Sequence, residues 1–215
     1  MKQQSEHRDN LIQRAVEIIE NGGVVILPAD TVYGIYGNAL SEEAIERVYQ
    51  IKGRKRGKPF GIVSTKSKVA DVVELNPLSA ELVERCWPAP ISLIAPKNNA
   101  TIPFFFSGAE AGLLVVSASN EVLAAIVERC RVPIFSTTCN LAGEDEARTP
   151  EDLDPFRPLV DLVIENDFFE FAGTPSTIVN TMGDQPIVIR EGAYPVGQLM
   201  ARIDGIKVDR NLLIQ

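Results

Sequence analysis

Apolar and polar residues alternate along this chain in two different rhythms. Leu11, Ile12, Ala15, Val16 and Ile19 recur at helical spacing, and Gly22-Gly23 ends that pattern. Residues 23–27, GVVIL, form a continuous apolar run closed by Pro28, which predicts a short strand buried on both faces. Ser41 has the chemistry of a helix N-cap, with Leu40 and Ile45 spaced as a hydrophobic staple, and the helix it opens runs to about Ile51. Further strands are predicted at 61–64, 91–95, 113–117, 132–135, 160–164, 177–180 and 187–190. Helices are predicted at 78–86 and 121–130, with a short one opened by Thr149-Pro150. Strands and helices alternate without an internal repeat or a low-complexity linker, which predicts one α/β domain over residues 10–200. Residues 1–9 read as a polar leader and 201–215 as a tail. The 91–117 stretch lacks an obvious helix, so antiparallel pairing is expected there.

Composition narrows the chemistry. The chain has 215 residues, 45% of them hydrophobic, enough for one substantial core. No apolar run approaches the roughly 18 residues of a membrane span, and MKQQSEHRDN lacks the apolar stretch of a signal peptide. Cys86, Cys130 and Cys139 are scattered and odd in number, a pattern expected of a reducing, cytoplasmic setting. A single histidine, His7, lies in the polar leader, so no Ser-His-Asp or Cys-His relay can be assembled. The net charge of −8 disfavours nonspecific coating of nucleic acid. Locally the sign reverses: residues 52–58, KGRKRGK, place five cations in seven positions. Such a run concentrates positive potential as a phosphate site requires, although it is not a Walker A loop.

Three segments carry candidate chemistry. Pro28-Ala29-Asp30-Thr31-Val32-Tyr33-Gly34 leaves a buried strand, with the Thr31 hydroxyl, the amphipathic Tyr33 ring and Gly34 for close backbone approach. Lys52-Gly53-Arg54-Lys55-Arg56-Gly57-Lys58-Pro59 combines paired arginine donors with lysine point charges. Ser136-Thr137-Thr138-Cys139-Asn140 follows another apolar strand and offers small polar groups without formal charge. Each alone is equally compatible with an ordinary turn or a solvated loop.

Taken in order, PADTVYG, KGRKRGKP, WPAP, STTCNLAG, STIVN and IREGA resemble the YrdC-like family, over roughly residues 10–195. The resemblance implies a twisted mixed α/β sheet with helices around a large positively charged groove. It also implies joining of L-threonine, bicarbonate and ATP, with Mg²⁺, into threonylcarbamoyl-AMP with release of pyrophosphate, the first step of tRNA threonylcarbamoyladenosine modification. By position it carries Lys52 and Arg54 as the paired catalytic cations. Lys52, Arg54, Lys58, Thr138, Asn140 and Arg190 are implied to hold ATP. Thr31, Tyr33, Ser176 and Thr177 are implied to line the substrate pockets, and no protein side chain is implied as a metal ligand. Further implied partners are tRNA or double-stranded RNA and downstream tRNA-modification proteins.

The pattern also departs from the family. Ala29 replaces a threonine, Thr138 replaces a serine, and Pro175 stands where many synthases carry glutamate. In Leu114–Asn120, LVVSASN, Ser117 takes the position read as the family arginine expected to bind the amino-acid carboxylate. Losing a charge-assisted partner costs about 1.5–3 kcal/mol. Two other readings therefore stay open: a divergent paralogue acting on another small acid or carbamoyl substrate, and a non-enzymatic RNA-binding member.

Overall fold

The structure, a computed structural model, describes residues 2–54, 60–103, 106, 112–165 and 171–209. Helix α1 (Lys2–Glu20) leads into β1 (Val24–Pro28) and β2 (Tyr33–Asn38), an antiparallel pair. Then follow α2 (Glu42–Ile51), β3 (Gly61–Ser64), the single turn α3 (Val69–Val72), α4 (Pro77–Cys86) and β4 (Ile91–Ala95). After β5 (Leu113–Ser117) come α5 (Glu121–Arg129) and β6 (Ile134–Thr138). The chain continues through β7 (Leu162–Val163), β8 (Thr177–Asn180), β9 (Ile187–Arg190), α6 (Val196–Met200) and β10 (Lys207–Val208). Among the described residues these strands form one mixed sheet, ordered β10-β9-β8-β4-β5-β3-β6-β2-β1-β7.

Helix starts follow the local chemistry. The Ser41 side chain accepts from Ala44 N, Asn76 from Ser79 N and Asn120 from Leu123 N, each satisfying one of the orphan donors of a first turn. The expected antiparallel pairing within 91–117 is present, with Ser92 opposite Val116 and Ile94 opposite Leu114.

Four expectations need correction. The 1–9 leader is helical from Lys2, so it belongs to α1. The 201–215 tail contributes β10, which pairs parallel to β9. Strand β2 has no counterpart in the predicted elements, because its glycines and polar flanks read as a turn. The sixth strand runs past Phe135 through Ser136 and Thr137 to Thr138, so half of the predicted polar turn is sheet.

The sheet divides the core in two. One face carries Ile26, Ile35, Ile62, Leu93, Val115, Phe135 and Val179, packed with α2, α4 and α6 through residues such as Val48, Leu82 and Leu199. The opposite face carries Val25, Leu27, Tyr36, Val63 and Ile134 under α1 and α5, which contribute Ala15, Ile19, Val122 and Ile126. These two helices cover only the β1–β2–β6–β3 side of that face. Toward β5, β4 and β8 the sheet has no helix over it among the described residues, and the uncovered floor forms a groove.

Candidate active-site groove

The groove encloses about 550 Å³. Its floor follows the period-2 alternation of the strands. Tyr36 of β2 lies opposite Ser136 of β6, which lies opposite Gly61 of β3. Leu114 and Val116 of β5, Ser92 of β4, Ser176 and Arg190 continue the floor to the β8–β9 side. The floor is thus uncharged between cations at its two sides.

The Lys52 cluster occupies the β2–β6 side. Lys52 is the C-cap of α2, and only 2% of it is exposed. Its Nζ donates to Thr138 O at 2.6 Å, Asn140 O at 3.0 Å and Asn140 Oδ1 at 2.7 Å. Thr138 Oγ1 donates to the same Asn140 Oδ1 at 2.7 Å, and Asn140 Nδ2 donates to Glu144 O at 2.8 Å. One buried ammonium therefore fixes the turn after β6, and places its charge just below the groove in a poorly screened setting. Arg54 lies over two aromatic rings, its guanidinium carbon 5.3 Å from the Tyr49 centroid and 5.0 Å from that of Phe60. Those rings stack on each other at 4.6 Å. Stacking of this kind holds a guanidinium plane while leaving its charge active.

At the β8–β9 side, Arg190 donates through Nε and Nη2 to Ser176 O at 3.1 and 2.8 Å. Ser176 Oγ pairs with Ser92 Oγ at 2.7 Å. Gly192 N donates to Thr177 Oγ1 at 2.9 Å, and a Cβ on Gly192 would fall 2.0 Å from Pro175 O, so only glycine fits there. These bonds explain why the PST and IREGA segments work as one unit. Burial pulls the Arg190 guanidinium below its usual range, and the charge of Glu146, which also lines the groove, opposes that shift.

Several predicted site residues meet in this groove: Thr31, Lys52, Arg54, Thr138, Asn140, Ser176 and Arg190 all line it. Lys58 lies outside the described residues. Strand register sets three further residues apart. Tyr33 borders the groove, but the residue is fully buried, with its ring edge-on to Phe171 in the core of the other face. Thr177 is also fully buried, its hydroxyl donating to Tyr194 O at 2.6 Å. Ser117, 4% exposed, shares the parity of Leu113 and Val115 and lies against Ala89 on the closed face. The groove-facing residues of β5 are Leu114 and Val116, so the Ser117 side chain itself does not enter the groove.

Groove residues missed in the sequence include Tyr36, Ser92, Val116 and Glu146. For Ser92 a signal existed, because it interrupts an otherwise apolar strand. Cys139 sits amid the Lys52 cluster but is fully buried, and burial pushes its thiol up to about 12 against the pull of Lys52. At that value it is a small core residue and not a nucleophile. His7 is exposed on α1, away from the groove lining.

The profile of the Sua5/YciO/YrdC family, described as telomere recombination, matches residues 17–192. The chain belongs to the Sua5/YciO/YrdC family. A Methanocaldococcus jannaschii member, named provisionally as a threonylcarbamoyl-AMP synthase, is 32% identical over 90% of this chain and 91% of its own length. The structure of Pyrococcus abyssi Sua5 complexed with L-threonine superposes with a TM-score of 0.84 at 25% identity, covering 95% of this chain and 60% of that one. Escherichia coli YciO superposes with a TM-score of 0.77, also at 25% identity, covering 87% and 91%. The chain therefore spans about three fifths of the P. abyssi protein but nearly all of the shorter members.

Proposed function

We propose that this Sua5/YciO/YrdC member is a nucleotidyltransferase. It joins L-threonine, bicarbonate and ATP into threonylcarbamoyl-AMP and releases pyrophosphate, the first step toward tRNA threonylcarbamoyladenosine. The observation that carries this reading is a single groove with cations at both sides and a hydroxyl-lined, uncharged floor between them. A carbamate oxygen attacking the α-phosphorus needs alignment and neutralisation of charge on the departing pyrophosphate, and no protein nucleophile. Arg54 and Arg190 neutralise from the two sides, Lys52 adds buried positive charge, and Thr138 and Asn140 orient the nucleotide. Thr31 and Ser176 donate to the small substrate.

The described residues contain no group of three His, Cys, Asp or Glu side chains placed to hold a metal ion, so Mg²⁺ fits this groove as a partner of the nucleotide's phosphates. There it supplies further neutralisation of the triphosphate. The three cysteines are free and buried, in keeping with a reducing cytoplasmic setting, and tRNA is served through the product. Leu114 and Val116 on the floor favour a second reading, in which a less polar small acid replaces threonine.

The test supplies purified protein with ATP, Mg²⁺ and bicarbonate, and each amino acid separately, while pyrophosphate is measured. Release that requires both threonine and bicarbonate is expected. Release driven by another acid moves the chain to the second reading, and release with none removes the enzymatic one.

A further inference from the structure

One tyrosine hydroxyl at the groove has no hydrogen-bond partner among the described residues. Tyr36 is only 3% exposed, and its ring packs in the core beneath α1 and α5, yet the residue also lines the groove. The phenol points back along β2 toward Gly34, because a Cβ built on Gly34 would stand 2.7 Å from Tyr36 Oη. Gly34 is the strand partner of Thr138, whose carbonyl accepts from Lys52. Oη thus reaches the groove beside the Lys52 cluster, and the missing side chain of Gly34 makes the room. Among the described residues Oη makes no hydrogen bond. Buried tyrosine hydroxyls ordinarily find a partner, so an unmet one that opens onto a groove is placed for a ligand atom. Burial first, then the charges of Asp30 and Cys139, push the phenol well above its ordinary range, so it remains a donor. The Asp30 carboxyl accepts from the Ser119 hydroxyl, and no bond joins it to Tyr36.

We propose that Tyr36 is a specificity-determining residue of the groove, its hydroxyl donating a hydrogen bond to an anionic oxygen of the small acid substrate bound over Gly34. A nucleotide phosphate offers the same oxygen chemistry. The small acid is favoured because Thr31, which the synthase reading gives to the small substrate, lines the groove at the same strand end as Gly34, whereas the arginines among the described lining residues, Arg54 and Arg190, suit phosphate oxygens. This inference rests on the synthase reading and deepens it.

Tyr36→Phe removes only the hydroxyl. Without ligand, the variant should melt at about the same temperature as the natural protein, since no hydrogen bond among the described residues is lost. By calorimetry, its dissociation constant for L-threonine should rise at least about tenfold, the loss of one hydrogen bond to a charged oxygen, while that for a non-hydrolysable ATP analogue stays unchanged. A ligand-free variant that melts lower overturns the inference, because the hydroxyl then has a structural partner. So does an unchanged threonine affinity, or a loss confined to the ATP analogue. A natural protein that binds no threonine at all sinks the synthase reading instead. The ligand-free melting comparison still tells whether the phenol is unmet.

Discussion

The two faces of the sheet are built from the same strands and meet different fates. On the closed face, Ile26, Ile35, Phe135, Ile62, Val115 and Leu93 run in an unbroken apolar row beneath α2, α4 and α6. On the other face, the same strands supply Val25, Tyr36 and Val63 where α1 and α5 cover them. Where those helices stop, they supply Ser136, Gly61, Val116 and Ser92. A residue's role is therefore set by two things, its parity in the strand and whether a helix lies over it. Parity decides between core and groove, and a one-residue shift exchanges them.

Position 117 against position 116 is the sharpest way to break this comparison. Ser117→Arg would push a charge and extra volume into the closed face, costing at least about 3 kcal/mol from overpacking and an unpaired buried charge. A thermal or denaturant melt checks this, and a fully stable Ser117→Arg protein would refute the assignment of faces. Val116→Arg points into the groove and should cost less than Ser117→Arg, because the side chain enters open space and not packed core. It should raise threonine-dependent pyrophosphate release, because it sets a guanidinium on the floor facing the small acid.

Lys52 tests the seam between the two faces, since a buried closed-face helix ends on it and a groove turn hangs from it. Lys52→Met keeps the apolar stem and removes three charge-assisted bonds. We expect a stability loss of about 1.5–3 kcal/mol together with at least a tenfold fall in turnover. Arg54→Ala, whose guanidinium lies over Tyr49 and Phe60, should lower ATP affinity about tenfold with a smaller stability change. Calorimetry with an ATP analogue separates the two, and equal affinity losses with equal stability losses would erase the distinction between anchor and ligand contact.

The sequence showed which segments build the groove but not which side chains enter it. The strands at 61–64, 91–95 and 113–117 and the capped helices were legible, because apolar runs and Ser or Asn caps are local signals. The side-chain errors share one cause. VVIL and LLVV are apolar on both faces, so nothing in the run states which parity meets a helix and which meets the groove. From sequence alone Tyr33 stands out where Tyr36 reaches the groove, and Thr177 looks equivalent to Ser176. Strand β2 itself was hidden, since YGIYGN reads as a turn until the neighbouring strands show that Gly34 makes room for the Tyr36 phenol.

The smallest effect concerns how the half-covered face keeps its helices. Besides their apolar contacts, α1 and α5 are joined at the periphery by ion pairs. Arg8 meets Glu121 at 3.3 Å, Arg129 meets Asp9 at 2.5 Å and, just past α5, Arg131 meets Glu20 at 2.8 Å, much as Arg47 of the closed-face helix α2 meets Asp161 at 2.6 Å. Glu20 is the best connected of these carboxylates. The Arg131 side chain first, and then the Arg131 backbone N–H, hold its acid group down at about 2. An acid whose folded value lies below its unfolded value of about 4.3 adds stability that is complete above the unfolded value and is lost as pH falls toward the folded one. Glu20→Gln should therefore lower the melting midpoint at pH 7 by about 1–2 °C, as befits a solvent-screened pair in a chain of this size. The difference from the natural protein should shrink as pH falls from 5 toward 2, and shrink also at pH 7 in about 1 M salt. A deficit that stays constant with both pH and salt would mean that Glu20 acts through packing.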